Sequence, residues 1–259
     1  MIAIEDVSKR FGGIVAVDRC SLRIETGTIT GLIGPNGAGK TTLFNIVAGF
    51  MAPTGGRILL DGRDITGLAP HRLFHLGLVR TFQIPHEFAR MSTLENLMVV
   101  PPGQEGESVV NAWFRPFRVA AREREVRRRA AEVLAFLRLD EVGDELAGNL
   151  SGGQKKLLEL GRALMSGCKT VLLDEPGAGV NRTLLASLVA SIRTLNRDHG
   201  YTFCIVEHDM DLIAELCDPV IVMAEGRVLT QGGFDQVRQN REVLDAYLGG
   251  MSVPAEGRA

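Results

Sequence analysis

Between Ile2 and Ile24 apolar and polar residues alternate in short runs on either side of Phe11-Gly12-Gly13. A period of two broken by a glycine turn predicts an antiparallel hairpin. Gly27–Ile33 is a shorter, β-branched run, and Thr41–Ala48 behind it reads as a helix. The turn cluster Pro53–Gly56 leads into Arg57–Ile65, a strand that folds back at Asp61-Gly62. Leu76–Gln83 is apolar and β-branched until it ends in an amide. Thr93–Met98 predicts a short helix capped by Ser92 or Thr93 and stopped by Pro101-Pro102-Gly103. Ala120–Leu139 predicts a long one, with Val126, Ala130, Val133, Leu134 and Leu137 on one face. Further helices are expected at Lys155–Met165, Leu184–Arg197 and Glu242–Leu248. Lys169–Asp174 and Tyr201–Val206 are continuous apolar runs, the pattern of parallel strands buried on both faces. Pro219–Met223 and Arg227–Leu229 form a hairpin around Glu225-Gly226. Strands and helices of these kinds place the chain in the α/β class.

Composition narrows the function classes. The chain has 259 residues, 45% of them apolar, with both charge signs present, which is a soluble globular protein of one large domain or two lobes sharing a core. Its apolar stretches fall far short of the roughly 20 residues that cross a bilayer. Met1–Asp6 has neither the basic stretch nor the apolar run of a secretory signal, so a cytosolic chain is expected. The net charge of −2 carries no nucleic-acid footprint. Cys20, Cys168, Cys204 and Cys217 show no CxxC spacing and suit reduced core positions better than disulfides or zinc. Arg122, Arg124 and Arg127–Arg129 interleave with Glu123, Glu125 and Glu132 as a solvated helix face. Trp113, Phe114 and Phe117, set between arginines, form either a partner-facing loop or an apolar cluster beneath one.

The chemistry is concentrated in a few stretches. Gly34–Thr42, GPNGAGKTT, fits the phosphate-cradling spacing GxxxxGK[ST] at every fixed position, between a strand and a helix as that spacing requires. Gly34, Gly37 and Gly39 permit positive φ and bring N–H groups close to an anion with no Cβ in the way; Asn36 and Thr42 belong to the same loop. Lys40 is placed to reach terminal phosphates, and Thr41 to bind a Mg²⁺ ion that bridges them. Phe11 either stacks on a purine or is an ordinary core residue. Gln83 ends its strand where an amide can point at the phosphate loop or at solvent. Ser151 is a good N-cap, yet Gly152 and Gly153 behind it cost about 1 kcal/mol each in a helix interior, and a merely structural helix start would not need them. Bare backbone beside a serine hydroxyl is a second anion site. Two such sites and one nucleotide are reconciled if each chain lends the second to a nucleotide held by another copy. Asp174, at the end of its apolar strand, suits a Mg²⁺ shell, and Glu175 faces differently and can polarise a water for in-line attack. Alone, the Asp-Glu pair is equally a solvated strand end. A neutral His208 can hold both a γ-phosphate and the attacking water.

With those residues in order, the chain resembles the ATP-binding subunits of ABC transporters over essentially its whole length. Phe11 matches the adenine-stacking aromatic, GPNGAGKTT Walker A, Gln83 the Q-loop glutamine, LSGGQ at 150–154 the signature, VLLDEP at 171–176 Walker B with its base, and His208 the switch histidine. The resemblance implies a P-loop NTPase with a RecA-like parallel core sheet, an N-terminal antiparallel β subdomain and an inserted α-helical subdomain. Residues 1–83 and 168–235 would form the ATPase core with the β subdomain, 84–167 the helical subdomain, and 236–259 a C-terminal helix and tail. It also implies ATP with Mg²⁺ held by Thr41, Gln83 and Asp174, and head-to-tail pairing with a second ATP-binding subunit that places Ser151–Gln154 on its partner's ATP. Transmembrane permease subunits, a periplasmic substrate-binding protein acting through them, and a place on the inner face of the cell membrane follow from the same resemblance. Arg80–Gln83, Ala178–Asn181, Glu207–Met210, Ala246–Gly249 and the insertion near 101–120 are similar to the longer ATPase subunit of branched-chain amino acid importers. Arg182 and Lys155-Lys156 depart from the commoner pattern. A P-loop kinase or GTPase would leave Ser151–Gln154 idle, and no NKxD motif is present. A soluble cassette ATPase of DNA repair or translation would need a coiled coil, zinc hooks or a second cassette. The ATPase of a lipopolysaccharide-type lipid export complex has a similar cassette and stays open as the alternative.

Overall fold

The computed structural model describes residues 1–81, 87–104, 106 and 113–249. In chain order the described strands are β1 (Ile2–Phe11), β2 (Ile14–Ile24), β3 (Ile29–Ile33), β4 (Gly55–Leu60), β5 (Arg63–Asp64), β6 (Leu78–Arg80), β7 (Thr170–Asp174), β8 (Thr202–Val206), β9 (Val220–Ala224) and β10 (Arg227–Gly232). The described α-helices are α1 (Lys40–Val47), α2 (Pro70–His75), α3 (Thr93–Met98), α4 (Pro116–Phe136), α5 (Gly152–Ser166), α6 (Arg182–His199), α7 (Met210–Leu216), α8 (Phe234–Gln239) and α9 (Arg241–Gly249). Two compact units result, one from Met1–Leu73 with the chain after Gly200, the other from Phe74–His199.

In the first unit the alternating N-terminal segment becomes the expected hairpin, β1 running antiparallel to β2 from Ile2↔Ile24 to Phe11↔Ile14. The free edge of β1 takes β4, with Ile2 opposite Leu60, and the sheet order is β2-β1-β4-β5. Ile2, Ile4, Val7, Val17, Leu22, Ile24, Ile58 and Leu60 bury its inner face. Asp61 and Gly62 both take positive φ, 50° and 80°, as a two-residue hairpin turn needs. The continuous apolar runs become parallel pairs, Ile29↔Phe203 between β3 and β8 and Gly31↔Val220 between β3 and β9; β10 returns antiparallel to β9. All residues of β3 and β8 are buried. Gly31 lies under the end of α7, where a Cβ would stand 3.0 Å from Cys217 Cβ.

The second unit pairs β6 with β7 in parallel from Leu78↔Thr170 to Arg80↔Leu172 and builds a helical core. Leu97, Val126, Ala130, Leu134, Leu137, Leu157 and Leu164 are buried there. Gly161 sits where α3 and α4 approach α5, its Cβ position 2.9 Å from Leu137 Cδ1 and 3.0 Å from Leu97 Cδ2. Ser92 caps α3 in a reciprocal box with Glu95.

Several boundaries move. The long helix begins at Pro116, not Ala120, because proline is pre-organised for the first helical position. The helix expected at Lys155–Met165 begins at Gly152, so both glycines lie inside it. Helices α2, α7 and α8 were not expected; each has six or seven residues, too short to show a period. Arg129 does not lie on a purely solvated face, since its guanidinium donates to the Leu164 carbonyl at 2.8 Å. Trp113, Phe114 and Phe117 form no cluster beneath a loop: they are 79%, 75% and 89% exposed. The cysteines are free and buried, and burial pushes the Cys20 and Cys217 thiols up to about 12, which leaves them unreactive.

The phosphate loop is held by close backbone approach. A Cβ on Gly34 would stand 2.1 Å from the Met223 carbonyl oxygen and one on Gly39 2.4 Å from that of Ala16, whereas nothing lies within 4 Å of the Cβ position of Gly37. All three glycines have positive φ. Gly37→Ala should therefore cost only the left-handed backbone term, about 1–2 kcal/mol, while Gly34→Ala and Gly39→Ala add a clash with immovable carbonyls and should cost several kcal/mol more. Denaturant midpoints of the three variants check this order; equal losses would show that the clashes relax.

Candidate nucleotide-binding site

The Gly34–Thr42 loop is wedged against two neighbours of its own unit. The Gly226 amide in the β9–β10 turn donates to the Ala38 carbonyl at 3.1 Å, and the Gly226 carbonyl accepts from Asp18 at 2.9 Å. The helical ladder of α1 begins with Leu43 N–H donating to the Gly39 carbonyl at 2.9 Å, so the amides of Lys40, Thr41 and Thr42 lie ahead of it at the positive end of the helix. Lys40 is buried and its ammonium donates to the loop carbonyls of Gly34 and Pro35 at 2.7 and 3.0 Å. A buried cation folded into a glycine loop at a helix N-terminus is a fit for polyphosphate.

Phe11 ends β1 and is 45% exposed, so it is not a core residue; the Lys9 ammonium lies 5.4 Å from its ring centroid. His208 is exposed just beyond β8, with its backbone amide donating to the buried Glu207 carboxylate at 2.9 Å. Asp209 then caps α7 by accepting from the Asp211 and Leu212 amides. Tyr247 of α9, which the sequence did not single out, reaches the loop: burial pushes its phenol up against a hydrogen bond from the Gly34 backbone.

In the second unit Asp174 ends β7 and is 5% exposed. Its Oδ2 accepts from Arg80 Nη2 at 2.6 Å, and both side chains are almost wholly buried. Oδ1 has no partner among the described residues. Sequence reasoning missed this ion pair, since its members are 94 positions apart. Glu175 follows with φ 46°, a left-handed conformation uncommon for a non-glycine residue. Gln83 lies outside the described residues. Ser151 caps α5 in a reciprocal box: Gln154 Oε1 accepts from the Ser151 amide and hydroxyl, each at 2.9 Å, and the Gln154 amide donates back at 3.4 Å.

The two signature glycines differ. A Cβ on Gly153 would lie 2.6 Å from Leu184 Cδ1 and 3.2 Å from Val180 Cγ1, so a side chain there would press on the start of α6 and those two residues would have to give way. Gly152 is exposed and its Cβ position meets nothing closer than the Gly179 carbonyl at 3.8 Å, an ordinary contact. Among the described residues nothing requires that residue to be bare.

Chemically, the first unit carries an anion cradle with a cation, an exposed aromatic ring and an imidazole. The second carries the buried Asp174 carboxylate and, next to it, Glu175 on a left-handed backbone. The hydroxyl of Thr41 and the carboxylate of Asp174 are the donor chemistry that Mg²⁺ takes.

The family described as ABC transporter matches residues 17–178. The probable branched-chain amino acid transport ATP-binding protein LivG of Archaeoglobus fulgidus is 40% identical, over 99% of this chain and 98% of the relative. The high-affinity branched-chain amino acid transport ATP-binding protein BraF of Pseudomonas aeruginosa is 38% identical, over 96% of this chain and 98% of the relative. Among solved structures, the ADP conformation of MJ1267, an ATP-binding cassette of an ABC transporter, superposes with a TM-score of 0.81 at 35% identity, covering 96% of this chain and 98% of that one. The phosphate loop, the signature helix and the acidic strand end are thus found in a chain that belongs to the ABC transporter family of ATPases.

Proposed function

We propose that this chain is the ATP-hydrolysing subunit of an importer of branched-chain or related amino acids, peripheral on the cytoplasmic face of the membrane and driving permease subunits. The observation that carries the reading is near full-length similarity, at 36–40% identity, to transport ATP-binding proteins of that cargo. In this reading the Gly34–Thr42 amides and Lys40 bind the ATP phosphates, with Asn36 in the loop wall, and Phe11 stacks on the adenine. Bound at Thr41, Gln83 and Asp174, Mg²⁺ would neutralise charge on the terminal phosphates.

Glu175 takes the proton of the attacking water, and His208 orients that water against the γ-phosphate. Ser151, Gly152, Gly153 and Gln154 complete the site on the ATP of a second ATP-binding subunit, this chain or a related one, set head to tail. The bareness of Gly152 supports that role, because its own chain supplies no reason for it. Closure on ATP is then passed to the permease, which a periplasmic binding protein loads from the other side.

Three measurements test the reading. Glu175→Gln should keep nucleotide binding and lower turnover by about 10²–10⁴-fold; unchanged turnover would remove Glu175 from its role. Gly152→Ala should raise the melting temperature by a few degrees at most and cut ATPase activity at least tenfold, whereas Gly153→Ala should lower stability as well; an active Gly152→Ala protein would sink the shared site. Deleting the gene should abolish uptake of labelled leucine, isoleucine or valine, restored by the wild-type chain and not by Lys40→Ala. Uptake that survives deletion would count against the cargo assignment.

A further inference from the structure

Helix α4 exposes an aromatic and basic surface that its own fold does not use. Val126, Ala130 and Leu134 bury one stripe of the helix, while Phe117, Ala121, Arg124 and Arg128, spaced at i, i+4, i+7 and i+11, face the other way and are all exposed. Just ahead, Trp113 and Phe114 are exposed as well. From Trp113 to Arg122 the chain holds three arginines and no carboxylate, in a protein whose net charge is −2. Farther along the helix, Arg122 and Arg128 pair with Glu125 and Glu132. Arg115, Arg118 and Arg124 form no ion pair among the described residues.

We propose that this surface is a contact for an anionic lipid bilayer, with Trp113, Phe114 and Phe117 entering the headgroup layer and Arg115, Arg118 and Arg124 lying at its phosphates. The proposal rests on the reading of the chain as a membrane-peripheral subunit. Charge decides the occupant. Cytoplasmic loops of membrane proteins carry an excess of lysine and arginine, so an arginine surface is repelled by them. The cytoplasmic leaflet is negative and attracts it. Tryptophan at the water–lipid boundary keeps its ring in the apolar side and its N–H in the wet one, and phenylalanines beside arginines form the corresponding amphipathic surface.

Trp113 is the single tryptophan of the chain, so intrinsic fluorescence reads the contact directly. Vesicles of phosphatidylcholine mixed with phosphatidylglycerol should shift the emission of the full chain to the blue, and brominated acyl chains should quench it. Phosphatidylcholine alone should do neither, and high salt should reverse the effect. Combined Phe114→Ser and Phe117→Ser, which keep the reporter, should weaken vesicle partitioning about tenfold. Combined Arg115→Glu and Arg118→Glu should weaken it by about thirtyfold or more. Both variants should keep the ATPase activity of the wild type in solution. An emission that no vesicle moves would overturn the proposal, including the case in which membrane subunits or an oligonucleotide move it instead. Wild-type protein without ATP turnover would overturn the functional reading, while the vesicle result still decides the lipid contact.

Discussion

The nucleotide loop depends on two backbone contacts that leave no room for a β-carbon. Met223 and Ala16 present carbonyl oxygens to Gly34 and Gly39 at distances only a hydrogen can occupy. Those carbonyls belong to the end of β9 and to β2, so the loop is shaped by strands distant in sequence. The β9–β10 turn adds hydrogen bonds to the loop and to β2 through one residue, Gly226. A phosphate cradle has to be preorganised, because amides that must be gathered at the moment of binding lose affinity to ordering. Here the ordering is done by folding. Only Gly37, open on all sides, is glycine for the sake of φ and of what approaches the loop from outside.

A second constraint is electrostatic. Asp174 sits at the end of a strand with no access to bulk water to speak of, and removing one member of such a buried pair costs about 3–5 kcal/mol by stranding the other charge. Arg80 supplies the compensation through Oδ2 and leaves Oδ1 without a described partner. In the proposed reaction Asp174 would hold a cation with a carboxylate that Arg80 already orients. The ion pair fixes the carboxylate and accounts for a charged residue that ends β6 and is nonetheless buried at its side chain.

Much of this was legible in the sequence wherever the pattern is local. The hairpin turns at Asp61-Gly62 and Glu225-Gly226, the burial of β7 and β8, and the spacing of Gly34–Thr42 each depend on residues within one or two turns of one another. What was not legible depends on pairs that only the topology joins. Arg80 was one position within the run that ends in the Gln83 amide until β6 paired with β7 and brought it to Asp174. Tyr247 was one letter in a C-terminal helix until burial set its phenol against the Gly34 backbone. The aromatic residues at 113–117 read equally as covered or exposed, because composition cannot say whether a loop folds over them.

The signature glycines show how the two kinds of information separate within one motif. Sequence treats Gly152 and Gly153 alike, as two costly residues in a first helical turn. Packing accounts for Gly153 in part, since Leu184 and Val180 line the space a side chain would need. The same test leaves Gly152 without an internal cause. It pays the conformational entropy of a helical glycine, with Ala the better helix former by about 1 kcal/mol, and its own chain gains no contact from the omission. A glycine that is exposed beside a capping serine leaves the backbone there open to approach from outside. In the proposed head-to-tail pair, the ATP of the second subunit would be an object of the right size and charge.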